Sequence, residues 1–143
     1  MRATLLAISV VGIVACADDA GIVPRTVLRP AALVMDSAGA AVIAPDTVRL
    51  GLPIPLVARS YGGGCSLADE TGVQVTGARI DVRPTVSEPH PAFPVACDAM
   101  LRILDHPVSV TYNRVGPVTV VVHGRREPGG AAMSITRTIE VVR

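Results

Sequence analysis

Large rings are nearly missing from this chain: of 143 residues none is Trp, one is Phe and two are Tyr. Aromatic side chains bury the most area per residue, so any core here must be assembled from Val, Ile, Leu and Ala. Such β-branched richness favours strands. Lysine is absent as well, and all 13 basic residues are Arg, a bias we attribute to genome composition. No apolar run reaches the roughly 20 residues that a membrane-spanning helix needs. An excess of one charge is lacking too, since 13 basic residues face 12 acidic ones. The longest basic cluster is the pair Arg125 and Arg126, which excludes the basic face or stripe of a nucleic-acid binder. Familiar catalytic signatures are also missing. There is no G-x-S-x-G nucleophile turn, and the triple glycine Gly62 to Gly64 lacks the Gly-Lys-Ser/Thr and helix start of a phosphate loop.

What is present is punctuation. The 13 Gly and 12 Pro are spread along the chain and leave little room for a long helix. The length suits one domain with a real core.

The amino-terminal end has the parts of an export signal. Arg2 gives a short basic start, residues Ala3 to Val14 form an uncharged apolar run, and small residues precede a cleavage point. The run ends Ile13, Val14, Ala15, Cys16. This resembles the lipobox of bacterial lipoproteins, with an aliphatic residue three before the cysteine and a small residue directly before it. The resemblance implies that residues 1–15 are a lipoprotein signal peptide, that the Cys16 thiol is diacylated, and that the new amino terminus receives a third chain. Each buried CH₂ contributes roughly 0.8 kcal/mol, so two or three chains anchor far more firmly than one. Ala17 follows the cysteine, and by resemblance to the sorting pattern of double-membrane bacteria this points to the outer membrane or cell surface. The competing reading is an ordinary secretory signal cut after Ala15, with Cys16 left as a spare thiol.

With Cys16 assigned to lipid, Cys65 and Cys97 are an even pair in an oxidising compartment, and a disulfide is expected. Closing that loop removes unfolded-state entropy worth roughly 3 to 4 kcal/mol. A metal site using both thiolates with His90 or His106 is the alternative, although its spacing matches no usual short ligand pair.

Residues 16–30 carry Asp18, Asp19, Pro24 and Pro30 without sustained periodicity, which reads as a lipidated tether. Its Ile22, Val23, Val27 and Leu28 are candidates for an added edge strand. Residues 31–143 read as short extended segments parted by turns. Ala31 to Met35 and Ala41 to Ile43 suggest a hairpin about Asp36 to Gly39, and Thr47 to Leu50 a strand. Ile54, Leu56 and Ala58 form one face of a strand whose other face carries Val57, Arg59 and Tyr61. Val73 and Val75 change phase with Ala78, Ile80 and Val82 across Gly77, which predicts a bulge. The four prolines from Pro84 to Pro94 predict the longest loop, and His106 with Pro107 a break between two strand segments. Val118, Val120 and Val122 mark a central strand, Pro128 to Gly130 a turn, and Ser134 to Val142 a last strand with Ile135, Ile139 and Val141 inward.

About seven to nine strands in one domain, the stretch Ala44 to Val57 and the run Gly116 to Gly124 resemble the immunoglobulin-like sandwiches of bacterial surfaces. The resemblance implies an all-β, antiparallel β-sandwich, although the core Trp of that family is absent.

Candidate sites are few. His90, His106 and His123 fall in separate segments and read as surface histidines. Ser66, His90 and Asp69 assemble a triad only on paper, and Asp69 with Glu70 reads as a solvated turn. The proline-rich loop is the one place to look for an interaction site, because it presents His90 and Phe93, the sole Phe. The expected function is therefore a membrane-anchored cell-envelope lipoprotein, non-enzymatic, without cofactor or metal and without nucleic acid. Its role would be binding, adhesion or scaffolding of an envelope protein partner. The second reading is a small periplasmic metal- or ligand-binding protein using Cys65, Cys97 and a histidine.

Overall fold

Strands with one aliphatic face can be stable only if those faces meet, and here they meet inside a single curled sheet. A computed structural model of the chain describes residues 25–35, 41–93 and 95–143. The signal segment, Cys16, and the turn at Asp36 to Gly39 lie outside the described residues. The strands are β1 (Thr26–Pro30), β2 (Ala32–Leu33), β3 (Val42–Ile43), β4 (Thr47–Arg49), β5 (Pro53–Gly62), β6 (Leu67–Thr76), β7 (Arg79–Pro89), β8 (Arg102–Thr111), β9 (Gly116–Arg125) and β10 (Ala132–Val142). No helix occurs among the described residues. The all-β expectation holds, and the 10-stranded sheet has the form of a half-barrel.

One side of the curl runs β6, β7, β9, β10, β4, with β1 continuing the ladder beside the second half of β7. The other side pairs β5 with β8 over the full length of both, and places β2 and β3 on the opposite edge of β5. Ala32 joins the sides, since it pairs with Tyr61 of β5 and with Arg125 of β9. Three neighbour pairs are parallel, β4 with β10, β7 with β9 and, through Ala32 alone, β2 with β9. The second departs from the antiparallel ladders of an immunoglobulin sandwich. Between β7 and β9 the chain visits the far side of the curl as β8, the long crossover that parallel neighbours require.

The core lies in the fold of the curl. Ile54, Leu56 and Ala58 of β5, Val110 of β8 and the following Tyr112 cover Ile80 and Val82 of β7, Val118, Val120 and Val122 of β9, and Ile139 and Val141 of β10. These are the faces that period-two alternation selects. Complete burial of side chains such as Ile54, Ile80 and Ile139 contributes about 1.5–3 kcal/mol each.

Several expectations are corrected. Residues 31–35 and 41–43 do not pair as a hairpin, because β2 and β3 each pair with β5 instead. The phase change at Gly77 is no bulge: Gly77 and Ala78 are the two-residue turn joining Thr76 to Arg79, with Gly77 at φ 60, the glycine-first turn suited to a hairpin. The bulge lies instead between Ala68 and Thr71. Pro84 and Pro89 belong to β7 rather than to the loop. The N–H that Pro84 lacks is missing where β7 changes partner from β9 to β1 and β6 bulges, a break where a strand proline is tolerated. Its carbonyl still accepts from the Ala31 N–H at 3.0 Å. His106 and Pro107 do not interrupt β8, which pairs with β5 alone, and an edge strand admits proline when the missing donor faces outward. The expectation for Val27 and Leu28 holds, by contrast: β1 adds them to the sheet as a strand beside β7.

Candidate functional site

The glycines that close β5 and the loop after β7 converge at one end of the curl. Cys65 and Cys97 are joined there by a disulfide with a Cα–Cα distance of 5.4 Å. The bridge pins the loop against the turn: Gly64 lies so close to Asp98 that no side chain fits between them. The Ser66 N–H donates to the Gly63 carbonyl at 3.0 Å, and Ser66 Oγ accepts from the Gly63 N–H at 3.1 Å. A cleft of about 360 Å³ lies between turn and loop, lined by Ser66, Glu88, His90, Phe93, Val95 and the two cysteines, among others. A second cleft of about 310 Å³ shares Gly63 and Glu88 with it and reaches Tyr61, Leu101 and Arg125.

His90 and Phe93 are both at this end. Their rings are tilted at 5.9 Å between centroids, and the Phe93 N–H donates to the His90 carbonyl at 2.8 Å. Phe93 is partly exposed, so it does not cap the core. The His90 N–H donates to the Arg25 carbonyl at 2.8 Å, which ties the loop to the start of β1. The paper triad is not assembled. Ser66 Oγ serves the glycine turn, His90 Nδ1 accepts from the Ala92 N–H, and Asp69 Oδ1 accepts from the Glu70 N–H. The disulfide also takes both sulfurs out of the donor set that a thiolate metal site would need. Among the described residues no group of three or more His, Cys, Asp or Glu is placed to hold a metal ion.

Two other polar clusters escape sequence reading. On the outer face, Arg79 donates to Asp81 through Nε at 3.0 and 3.1 Å and through Nη2 at 2.8 Å, and His123 Nε2 lies 2.6 Å from Asp81 Oδ1. The Arg79 hydrogen bond, then that of His123, holds the Asp81 carboxyl well below the usual carboxylate range, against the opposing effect of burial. The same pairing raises the Arg79 guanidinium. An ionised carboxylate orienting an imidazole is half of an acid–base device. However, no hydroxyl or thiol hydrogen-bonds this imidazole among the described residues. Arg79 and Asp81, two apart on one strand, are visible in the sequence as a same-face pair. His123 joins them only through the parallel pairing of β7 with β9, which no local pattern signals.

The second cluster is inside. His106, expected at the surface, is 1% exposed, and its Nε2 lies 2.8 Å from Ser60 Oγ. Burial pushes its pKa down, partly opposed by the nearby Asp105. The correction has a simple cause: β8 is continuous, so residues 106, 108 and 110 share its inner face, and the imidazole must point inward with them.

Fold and site together define an all-β half-barrel with one disulfide-tied end rich in clefts. Comparison with protein-family models, curated proteins and solved structures finds no match to the chain.

Proposed function

We propose that the protein is a lipid-anchored module of a bacterial cell envelope, non-enzymatic, held at the outer membrane or cell surface by acyl chains on Cys16. Its work is binding or scaffolding, and the disulfide-tied end with His90 and Phe93 is its contact surface. The observation that carries the reading is the Cys65–Cys97 bond. Such bonds persist in oxidising, exported compartments, and this one leaves Cys16 as the remaining cysteine of the three, in the setting of charge, apolar run and Ala15 that a lipid-attachment signal requires.

We also read the body as a divergent immunoglobulin-like sandwich. Support comes from an early strand running parallel beside the last one, β4 with β10, and from a β1–β2 segment that crosses from one side of the curl to the other. The parallel β7–β9 pair is the divergence.

The anchoring test is metabolic labelling with a fatty acid in cells making the full chain. Label is expected on the protein and is expected to vanish in Cys16→Ser. A Cys16→Ser chain that still acquired lipid, or a labelled-cell extract in which the unaltered chain carried none, would overturn the anchor. For the contact surface, cross-linking through a photoreactive residue at Phe93 should give adducts at the envelope that the same probe at Gln74, on β6, does not.

A further inference from the structure

Exposed apolar side chains lie at both ends of the curl, with Leu50, Leu52 and Val115 at the far end and a larger, more exposed group at the end where β1 begins. Leu101 is 70% exposed, Leu67 64%, Met100 62%, Val95 59% and Phe93 41%. Phe93, Val95 and Leu101 line the two adjoining clefts, Met100 precedes Leu101, and Leu67 follows Ser66 into β6. Side chains of this kind scattered singly need no explanation, but gathered around two adjoining clefts they mark a contact surface.

The chain itself indicates what covers them. Arg25, whose carbonyl accepts from His90 at this end, is nine residues from Cys16, a span of at most about 30 Å when fully extended. The ten residues of β5 alone extend about 33 Å. A tether no longer than the body, attached at the apolar end, presents that end to the bilayer first. The charges allow contact. Glu88 is paired with Arg29 and Arg125, Asp98 with Arg102, and Glu127 with Arg125, while Asp69 and Glu70 sit farther along β6 at its bulge. Arg25 and Arg126 are exposed, Arg25 directly at His90 of this end, and basic side chains meet anionic headgroups favourably.

From this geometry we infer that the partner of the disulfide-tied end is the lipid surface itself. Phe93, Val95, Met100, Leu101 and Leu67 enter the interfacial region and seat the body upright on the membrane that anchors it. The inference rests on the proposed lipidation of Cys16 for its tether, and the test separates the two.

The chain contains no Trp, so a single Trp is an unambiguous reporter. Phe93→Trp is made in the full chain, purified from detergent and reconstituted with vesicles of phosphatidylethanolamine and phosphatidylglycerol carrying brominated acyl chains. The reporter is expected to shift to the blue and to be quenched. Leu52→Trp, an exposed position before β5 at the far end of the curl, is expected to show neither. Adding Val95→Glu and Leu101→Glu to Phe93→Trp should abolish most of the quenching, and since both side chains are exposed, circular dichroism should report an intact fold. Quenching at Leu52→Trp instead, or an unquenched Phe93→Trp on a chain shown by labelling to carry lipid, would overturn the inference while leaving the anchor standing. Quenching of Phe93→Trp on a chain that carries no lipid would support the lipid contact while removing the anchor. Absence of both lipid and quenching would overturn both. A Phe93 cross-link to an envelope protein together with absent quenching counts against the lipid surface.

Discussion

His106 carries one hydrogen bond, to Ser60, and its Nδ1 is buried without a partner among the described residues. A proton on this ring would have to be solvated by an aliphatic interior, which is why burial lowers its pKa below the ordinary 6.5. The unfolded chain therefore takes up the proton before the folded one does. Stability is fully present above pH 6.5 and declines as the pH falls from there toward the depressed folded value. We expect urea midpoints of the unaltered protein to drop across that window and those of His106→Asn to stay flatter; parallel profiles would remove His106 from the account. Ser60→Ala, which orphans the second ring nitrogen as well, should cost about 1–3 kcal/mol at neutral pH. Asp81 gives a separate, more acidic step. Its folded pKa lies below the ordinary 3.8, so its contribution is present above that value and lost as the pH falls through the folded value. Asp81→Asn should lower the melting temperature at neutral pH, and the gap from the unaltered protein should narrow below pH 3.8. A gap constant over that range would mean that the carboxylate charge plays no part.

Elements whose neighbours lie close in sequence, or whose alternation is unbroken, were the legible ones. Ile54, Leu56 and Ala58 identify the inner face of β5 by spacing alone, as Val118, Val120 and Val122 do for β9. Prolines misled at Pro84 and Pro107, because their tolerance depends on which edge of a strand is free and that is decided by distant partners. The same reason hid both polar clusters: Ser60 meets His106, and Asp81 meets His123, across separations of 46 and 42 residues. The proline-rich loop is legible from composition, since rigid prolines and a lone Phe are local signals, whereas the exposed apolar residues around it depend on the turn and the loop being brought together. The disulfide does that work, and its contribution can be isolated. Cys65→Ala combined with Cys97→Ala should lower stability by about 3 kcal/mol through loop-closure entropy, read as a shift of the urea midpoint. An unshifted midpoint would show that the loop is ordered without its bridge.

On the scale of the whole molecule, the question is whether a curled sheet with few rings behaves as one body. Its two sides are joined through the backbone at Ala32, which pairs with both Tyr61 and Arg125. Gly124 permits that crossing: a Cβ there would stand 2.5 Å from the Ala31 carbonyl oxygen and 2.7 Å from Leu33 Cγ. The stronger link is the shared aliphatic core, in which Ile54 of β5 and Ile139 of β10 belong to one cluster although they come from opposite sides of the curl. Neither side keeps a closed interior without the other, because each supplies only one wall of that cluster. Ile54→Ala and Ile139→Ala should therefore each cost about 2–5 kcal/mol and shift one common unfolding transition. Far-ultraviolet circular dichroism and the Phe93→Trp fluorescence should give coincident curves in both variants. If Ile139→Ala split the transition in two, with fluorescence and dichroism parting, the two sides of the curl would be separate folding units and the bridge at Ala32 merely a hinge between them.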